Sequence, residues 1–143
     1  MDRLNRAAPF DWNSVGLDFG NWEEEKLWAL DLPVQEMDVE KLLWHLDIPY
    51  WGNDALDRWT VTPRDVMNRK DGTELEQAKT DKADISFPID LYENKGKLFV
   101  LDGLHRLVKL ITQGKRLVNV RIVPKDRFPE IASEHPIELP ASE

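Results

Sequence analysis

LFVLDGLHRLVKL, residues 98–110, changes its period in the middle. The first half is a β-prone run. The second half places Leu104, Leu107, Val108 and Ile111 at i, i+3, i+4 and i+7, the spacing of one apolar helical face. Asp102-Gly103 stands between the two halves, so the stretch predicts strand, sharp turn, helix. Glycine lets the backbone turn tightly and leaves room for a ligand, while the first helical amides are unpaired and point outward. A phosphate suits that position: Arg106 in the first turn adds a charge-assisted fork, and His105 adds a donor. Asp102 can orient His105, cap the helix or help hold Mg²⁺. A purely structural reading stays open beside this one, in which Asp102 caps, Gly103 turns, and His105 and Arg106 occupy the polar helix face. Neither GxxxxGKS nor GxGxxG occurs.

Upstream, Phe87–Tyr92 and Lys97–Leu101 read as a hairpin around the four-residue loop Glu93-Asn94-Lys95-Gly96. Downstream, Gly114 ends the helix as a C′ residue, with Lys109 and Lys115 suited to its negative end. Val118, Val120 and Ile122 then alternate with Asn119 and Arg121 in a half-buried strand that runs to Pro124. Earlier in the chain, Leu27–Val34 reads as a strand or extended entry. Asp38 caps a helix whose apolar face is Val39, Leu42, Leu43 and Leu46, which leaves His45 off that face as a surface or cap-proximal histidine. Residues 47–62 read as a packed loop, Thr62-Pro63 as a helix start, and Thr73 with Glu76 as a capping box for a helix over Glu74–Asp81. Residues 1–21 form a loosely structured arm docking through Phe10, Trp12 and Phe19; residues 22–128 form a single domain; and residues 129–143 form an acidic, proline-rich tail that frays.

The 143 residues suffice for one domain that buries about two thirds of its unfolded surface. Hydrophobic residues at 41% and charged residues at 32% are ordinary for a globular protein. No apolar run approaches the roughly 18 to 20 residues that span a bilayer, and the first thirty residues lack the pattern of a secretory signal, so the expected location is the cytoplasm. The absence of cysteine excludes disulfides, thiolate catalysis and cysteine zinc sites. His45, His105 and His135 lack metal-ligand spacing.

The net charge of -8 is concentrated at one end. Through Thr62 there are 5 basic residues against 13 acidic ones, and the remainder balances. Lys95 to Arg127 holds nine basic residues against Asp102 and Asp126, a local surplus that attracts an anion. The overall charge opposes nucleic-acid binding. All six tryptophans (Trp12, Trp22, Trp28, Trp44, Trp51, Trp59) lie in the first 59 residues, which fits core packing or an exposed aromatic face for a partner or nucleobase.

From Ala83 to Pro124 the chain resembles the ParB/sulfiredoxin-like superfamily. ADISFPIDLY (83–92) is similar to the strand preceding that family's site, FVLDGLHRLVKLITQGK (99–115) to its strand, G-x-H-R-type loop and helix, and VNVRIV (118–123) to its closing strand. LDLPVQEMDVEKLLWHL (30–46) and TPRDV (62–66) resemble upstream elements. The nearest likeness is to small stand-alone ParB-like proteins with a DG-x-HR signature. The resemblance implies an α+β fold, a small mixed sheet flanked by helices, and a nucleotide (ATP, ADP or CTP) with Mg²⁺ at the Asp102-Gly103-Leu104-His105-Arg106 loop. It implies catalytic roles for Asp102 and His105, phosphate contacts from Gly103, Leu104, His105 and Arg106, and Asp102 as the Mg²⁺ ligand. Ser86 and Arg64 are weaker members of the same pocket, and Asp65, Asp84 and Asp90 are candidate bases or metal ligands.

The sequence also departs from the family. Leu104 stands where sulfiredoxin has its reactive cysteine, so sulfinic-acid repair is excluded. Leu104 and His105 replace the acidic and first basic residues of the GERR-like loop of the CTP-binding partitioning proteins, and 143 residues leave no space for their DNA-binding and dimerisation domains. The expectation is therefore a nucleotide-binding domain, an ATP- or ADP-dependent phosphotransferase or NTPase. The alternative is a non-enzymatic module that binds a protein partner through the acidic, tryptophan-rich half, with a DNA-associated protein third.

Overall fold

The computed structural model describes residues 21–52 and 60–133. The arm with Phe10, Trp12 and Phe19, together with Trp59 and His135, lies outside the described residues. The chain builds helix α1 (Glu24–Ala29), strand β1 (Gln35–Asp38), a 3-10 helix η1 (Val39–Asp47), α2 (Pro63–Met67) and α3 (Glu74–Lys82). The strands β2 (Ile89–Asn94) and β3 (Lys97–Asp102), helix α4 (Leu104–Thr112), β4 (Leu117–Val123) and a second 3-10 helix η2 (Lys125–Glu130) follow. The sheet order is β1-β4-β2-β3, with β2 and β4 parallel and the other neighbours antiparallel. The fold is α+β around a mixed four-stranded sheet.

Both sheet faces are covered. Ile89, Leu91, Leu98, Val100, Val118, Val120 and Ile122 pack with Leu107 of α4 and with Val39 and Leu42 of η1. Tyr92, Leu101 and Val123 pack on the other side with Leu27 of α1, Phe128 of η2 and Ile131. The strand period of two places Asp90 and Arg121 on this second face, beneath α1.

The hairpin and the β3-α4-β4 unit form as expected, but with a tighter turn. Glu93 and Asn94 belong to β2, and Lys95-Gly96, with φ of 53° and 78°, closes a two-residue loop of the kind whose twist matches the strands it joins. Four other expectations are corrected. Residues 24–29 are helical, and only the following residues are extended, because a six-residue helix is too short to show a period. Residues 39–47 form a 3-10 helix. Its period of three stacks Val39, Leu42 and His45 on one face, so His45 is fully buried. Thr73 makes no capping bond: its hydroxyl donates to the Lys70 carbonyl at 2.6 Å, and Glu76 turns to His105. The capping box forms instead at α2, between Thr62 and Asp65. Packing also continues past Phe128, since Ile131 is fully buried and Trp22 pairs with Ala132.

Candidate functional site

β3 ends at Asp102 and α4 begins at Leu104, so the whole turn falls on Gly103, whose φ is 110°. No side chain caps α4. Its first intrahelical bond runs from the Leu107 amide to the Gly103 carbonyl at 2.8 Å, and the amides of Leu104, His105 and Arg106 precede it. An added Cβ at Gly103 would lie 3.2 Å from the Arg106 guanidinium carbon and 3.4 Å from Ile89 Cα. Gly103→Ala is therefore expected to cost about 1–2 kcal/mol of stability, from the left-handed backbone and the displaced guanidinium. Urea denaturation checks this, and an unchanged midpoint would show that the turn relaxes freely.

A cleft of about 500 Å³ opens beside this turn, lined by Trp28, Phe87, Pro88, Asp90, Asp102, Arg106 and Arg121. Asp102 Oδ2 accepts from Trp28 Nε1 at 2.8 Å and from Arg106 Nη2 at 3.1 Å. Arg106 Nη1 donates to the Pro88 carbonyl. Arg121 donates to Asp90 at 2.6 Å and to the Leu30 and Leu27 carbonyls at 2.8 and 3.0 Å, tying the end of α1 to the central strand β4. Burial holds the Asp90 carboxyl above its ordinary range against the pull of Arg121. Glu24 of α1 is raised too, by burial and then by the charge of Asp102 and a hydrogen bond to it. Two carboxyl groups, Asp90 and Asp102, thus face two arginines, with Glu24 beside Asp102.

Of the loop residues, Asp102 and Arg106 meet in the cleft, with Gly103 beside them. Leu104 packs against the core, and His105 faces elsewhere. The His105 ring stacks on Trp51 with centroids 4.6 Å apart, and its Nε2 lies 2.7 Å from Glu76. Asp102 therefore bonds Arg106 and Trp28 in place of orienting His105 or capping α4. Ser86 is exposed and donates to Asp84 at 2.6 Å, although its neighbours Phe87 and Pro88 line the cleft. Arg64 pairs with Asp47 in solvent and is not a lining residue. Asp65 is occupied in the α2 capping box, and Asp84 is held below its ordinary range by the Ser86 hydrogen bonds. Lys109 donates to the Asp81 and Ala83 carbonyls, serving the end of α3 in place of its own helix.

Of the lining residues, Trp28, Phe87, Pro88 and Arg121 are not among the candidates read from the sequence. The readable signal was at Arg121: an arginine inside a strand that proves central and covered on both faces needs a buried acid, and Asp90 is that acid. Among the described residues, no group of three or more histidines, aspartates or glutamates comes together to hold a metal ion, and no helix is long and apolar enough to cross a membrane. Comparison with protein-family models, with curated proteins and with solved structures yields no match.

Proposed function

We propose that this chain is a nucleotide-binding domain of ParB/sulfiredoxin-like fold, serving phosphoryl transfer or NTP hydrolysis. The observation that carries the reading is Arg106 held in a cleft beside an uncapped helix start reached through a left-handed glycine. The Arg106 guanidinium lines the cleft, held there by the Pro88 carbonyl and Asp102, and a guanidinium beside a free helix start suits a phosphate. The DG-x-HR resemblance supports the same ligand. Positioning and charge neutralisation dominate phosphoryl transfer, so the reading requires no covalent nucleophile.

Mg²⁺ ordinarily takes one or two carboxylates together with substrate phosphates, and Asp102, which lines the cleft beside Arg106, is a carboxylate of that kind. Asp102 would hold the ion, which would supply charge neutralisation at the phosphates. His105, stacked on Trp51 and bonded to Glu76, stands outside the cleft lining and is given no role at the phosphates.

The test is a thermal-shift titration with ATP, ADP, CTP and GTP, with and without Mg²⁺, on wild type and Arg106→Ala. A ligand that binds only the folded state raises the melting temperature with concentration. The expected result is a nucleotide-dependent rise whose apparent affinity falls about ten- to a hundredfold in the variant. An equal rise in Arg106→Ala, or none in wild type at millimolar nucleotide, overturns the proposal.

A further inference from the structure

Aromatic side chains in the described part of this fold are mostly shielded: Tyr92, Phe99 and Phe128 are buried, while Trp28 and Phe87 are 55% and 61% exposed. Both exposed rings line the cleft that holds Arg106. Isolated exposed aromatics are common and need no explanation. These two differ in being tied to the motif. The Trp28 indole N–H is fixed by Asp102, the first residue of the loop, and Phe87 immediately precedes Pro88, whose carbonyl accepts from Arg106. A surface indole anchored in this way has less rotational freedom to lose when a second ring stacks on it.

We infer that Trp28 and Phe87 form a mouth that receives the flat ring of the ligand, so that the cleft recognises a base-bearing nucleotide and not a bare phosphate. The inference rests on the nucleotide reading above and adds the means of recognising the base. Stacking on aromatic side chains accepts any base, because every base has a π-face. The volume of about 500 Å³ lies within the range of small-molecule sites. With Arg106 taking the phosphates, the ring is left to the aromatic rim. A mouth of this kind discriminates nucleotide from orthophosphate and pyrophosphate, which are abundant competitors for any phosphate loop.

The experiment compares ADP with inorganic pyrophosphate, each with Mg²⁺, by calorimetry on wild type, Trp28→Leu, Trp28→Phe, Phe87→Leu and Arg106→Ala. Phe87→Leu is expected to weaken ADP about tenfold and leave pyrophosphate unchanged, and Trp28→Leu to weaken ADP about tenfold relative to Trp28→Phe, which loses the same bond to Asp102. Trp28→Phe keeps a ring but loses the bond to Asp102, and is expected to retain most of the ADP affinity. Arg106→Ala is expected to weaken both ligands. Equal wild-type affinity for ADP and pyrophosphate, or ADP affinity untouched in both leucine variants, overturns the mouth while leaving the phosphate site standing. ADP binding that survives Arg106→Ala removes the phosphate site itself, and absence of ADP binding in wild type removes both.

Discussion

Replacing Arg121 with methionine is expected to lower stability by about 3–5 kcal/mol, the usual cost of leaving one member of a buried ion pair behind. The Arg121 and Asp90 side chains retain only 12% and 5% of their accessibility. Methionine restores volume but leaves the Asp90 carboxylate without its cation, removes the Arg121 donor from the Leu30 carbonyl and leaves the Leu27 carbonyl with the Leu30 amide. Those carbonyls end a six-residue helix that is too short to persist alone, so α1 should loosen together with Trp28 and Glu24. The deficit depends on pH. Asp90 is already raised in the folded state, and loss of Arg121 raises it further. A group whose folded pKa is raised favours the folded state when protonated, so the variant recovers stability as pH falls through that pKa. Urea unfolding at pH 7 and pH 5 checks both statements, and Arg121→Met with Asp90→Asn should recover much of the loss at pH 7. A single variant within 1 kcal/mol of wild type would mean that α1 is held by its apolar contacts alone.

The elements legible in the sequence are those whose local period agrees with their surroundings. The β3-Gly103-α4-β4 unit could be read because an apolar face at helical spacing lies between two β-prone runs, and because Gly103 and Gly114 mark both helix ends with positive φ. η1 could not be read in the same way. Val39, Leu42 and Leu46 satisfy an α-helical face, yet Val39, Leu42 and His45 satisfy a period of three equally well, and the packing of His45 against β3 accompanies the second. At Thr73 the capping-box pattern is present, but the hydroxyl is drawn to the Lys70 carbonyl and Glu76 to His105. A distant partner outweighs the local motif there.

The candidate site divides along similar lines. Asp102, Gly103 and Arg106 are contiguous, and Arg106 lies one helical turn beyond Asp102, so their meeting is a local event. His105 and Arg106 are consecutive on a helix and project about 100° apart, which is why one reaches the cleft while the other stacks on Trp51. The wall of the cleft is non-local. Trp28 meets Asp102 across 74 positions, and Arg121 meets Leu27 across 94, with no spacing rule to link them. The concentration of tryptophan in the first 59 residues pointed to that half of the chain without saying which ring faces solvent.

Acid is expected to remove about 3 kcal/mol of stability through His45 alone, between pH 6.5 and pH 4. Its Nδ1 lies 2.9 Å from the Leu42 carbonyl, and its Nε2 accepts the Val100 amide at 3.1 Å. Together these contacts require a neutral ring with the proton on Nδ1. Val100 belongs to β3, at the end of the sheet order, so the imidazole stands where the next strand would offer an acceptor. Burial pushes the His45 pKa down to about 4, with Lys97 adding to the effect and the Leu42 bond opposing it. The folded state thus excludes a proton that the unfolded chain takes up near pH 6.5. Stability from this group is complete above pH 6.5, falls as pH drops toward 4, and levels off below. Many carboxylates titrate over part of the same window, so the informative quantity is the difference between wild type and His45→Gln, in which their contributions largely cancel. Wild type should lead at pH 7.5, and its lead should shrink by about 3 kcal/mol by pH 4, read from urea midpoints across the range. A lead that stays constant across that range would mean that the imidazole accepts a proton without leaving its place between η1 and β3.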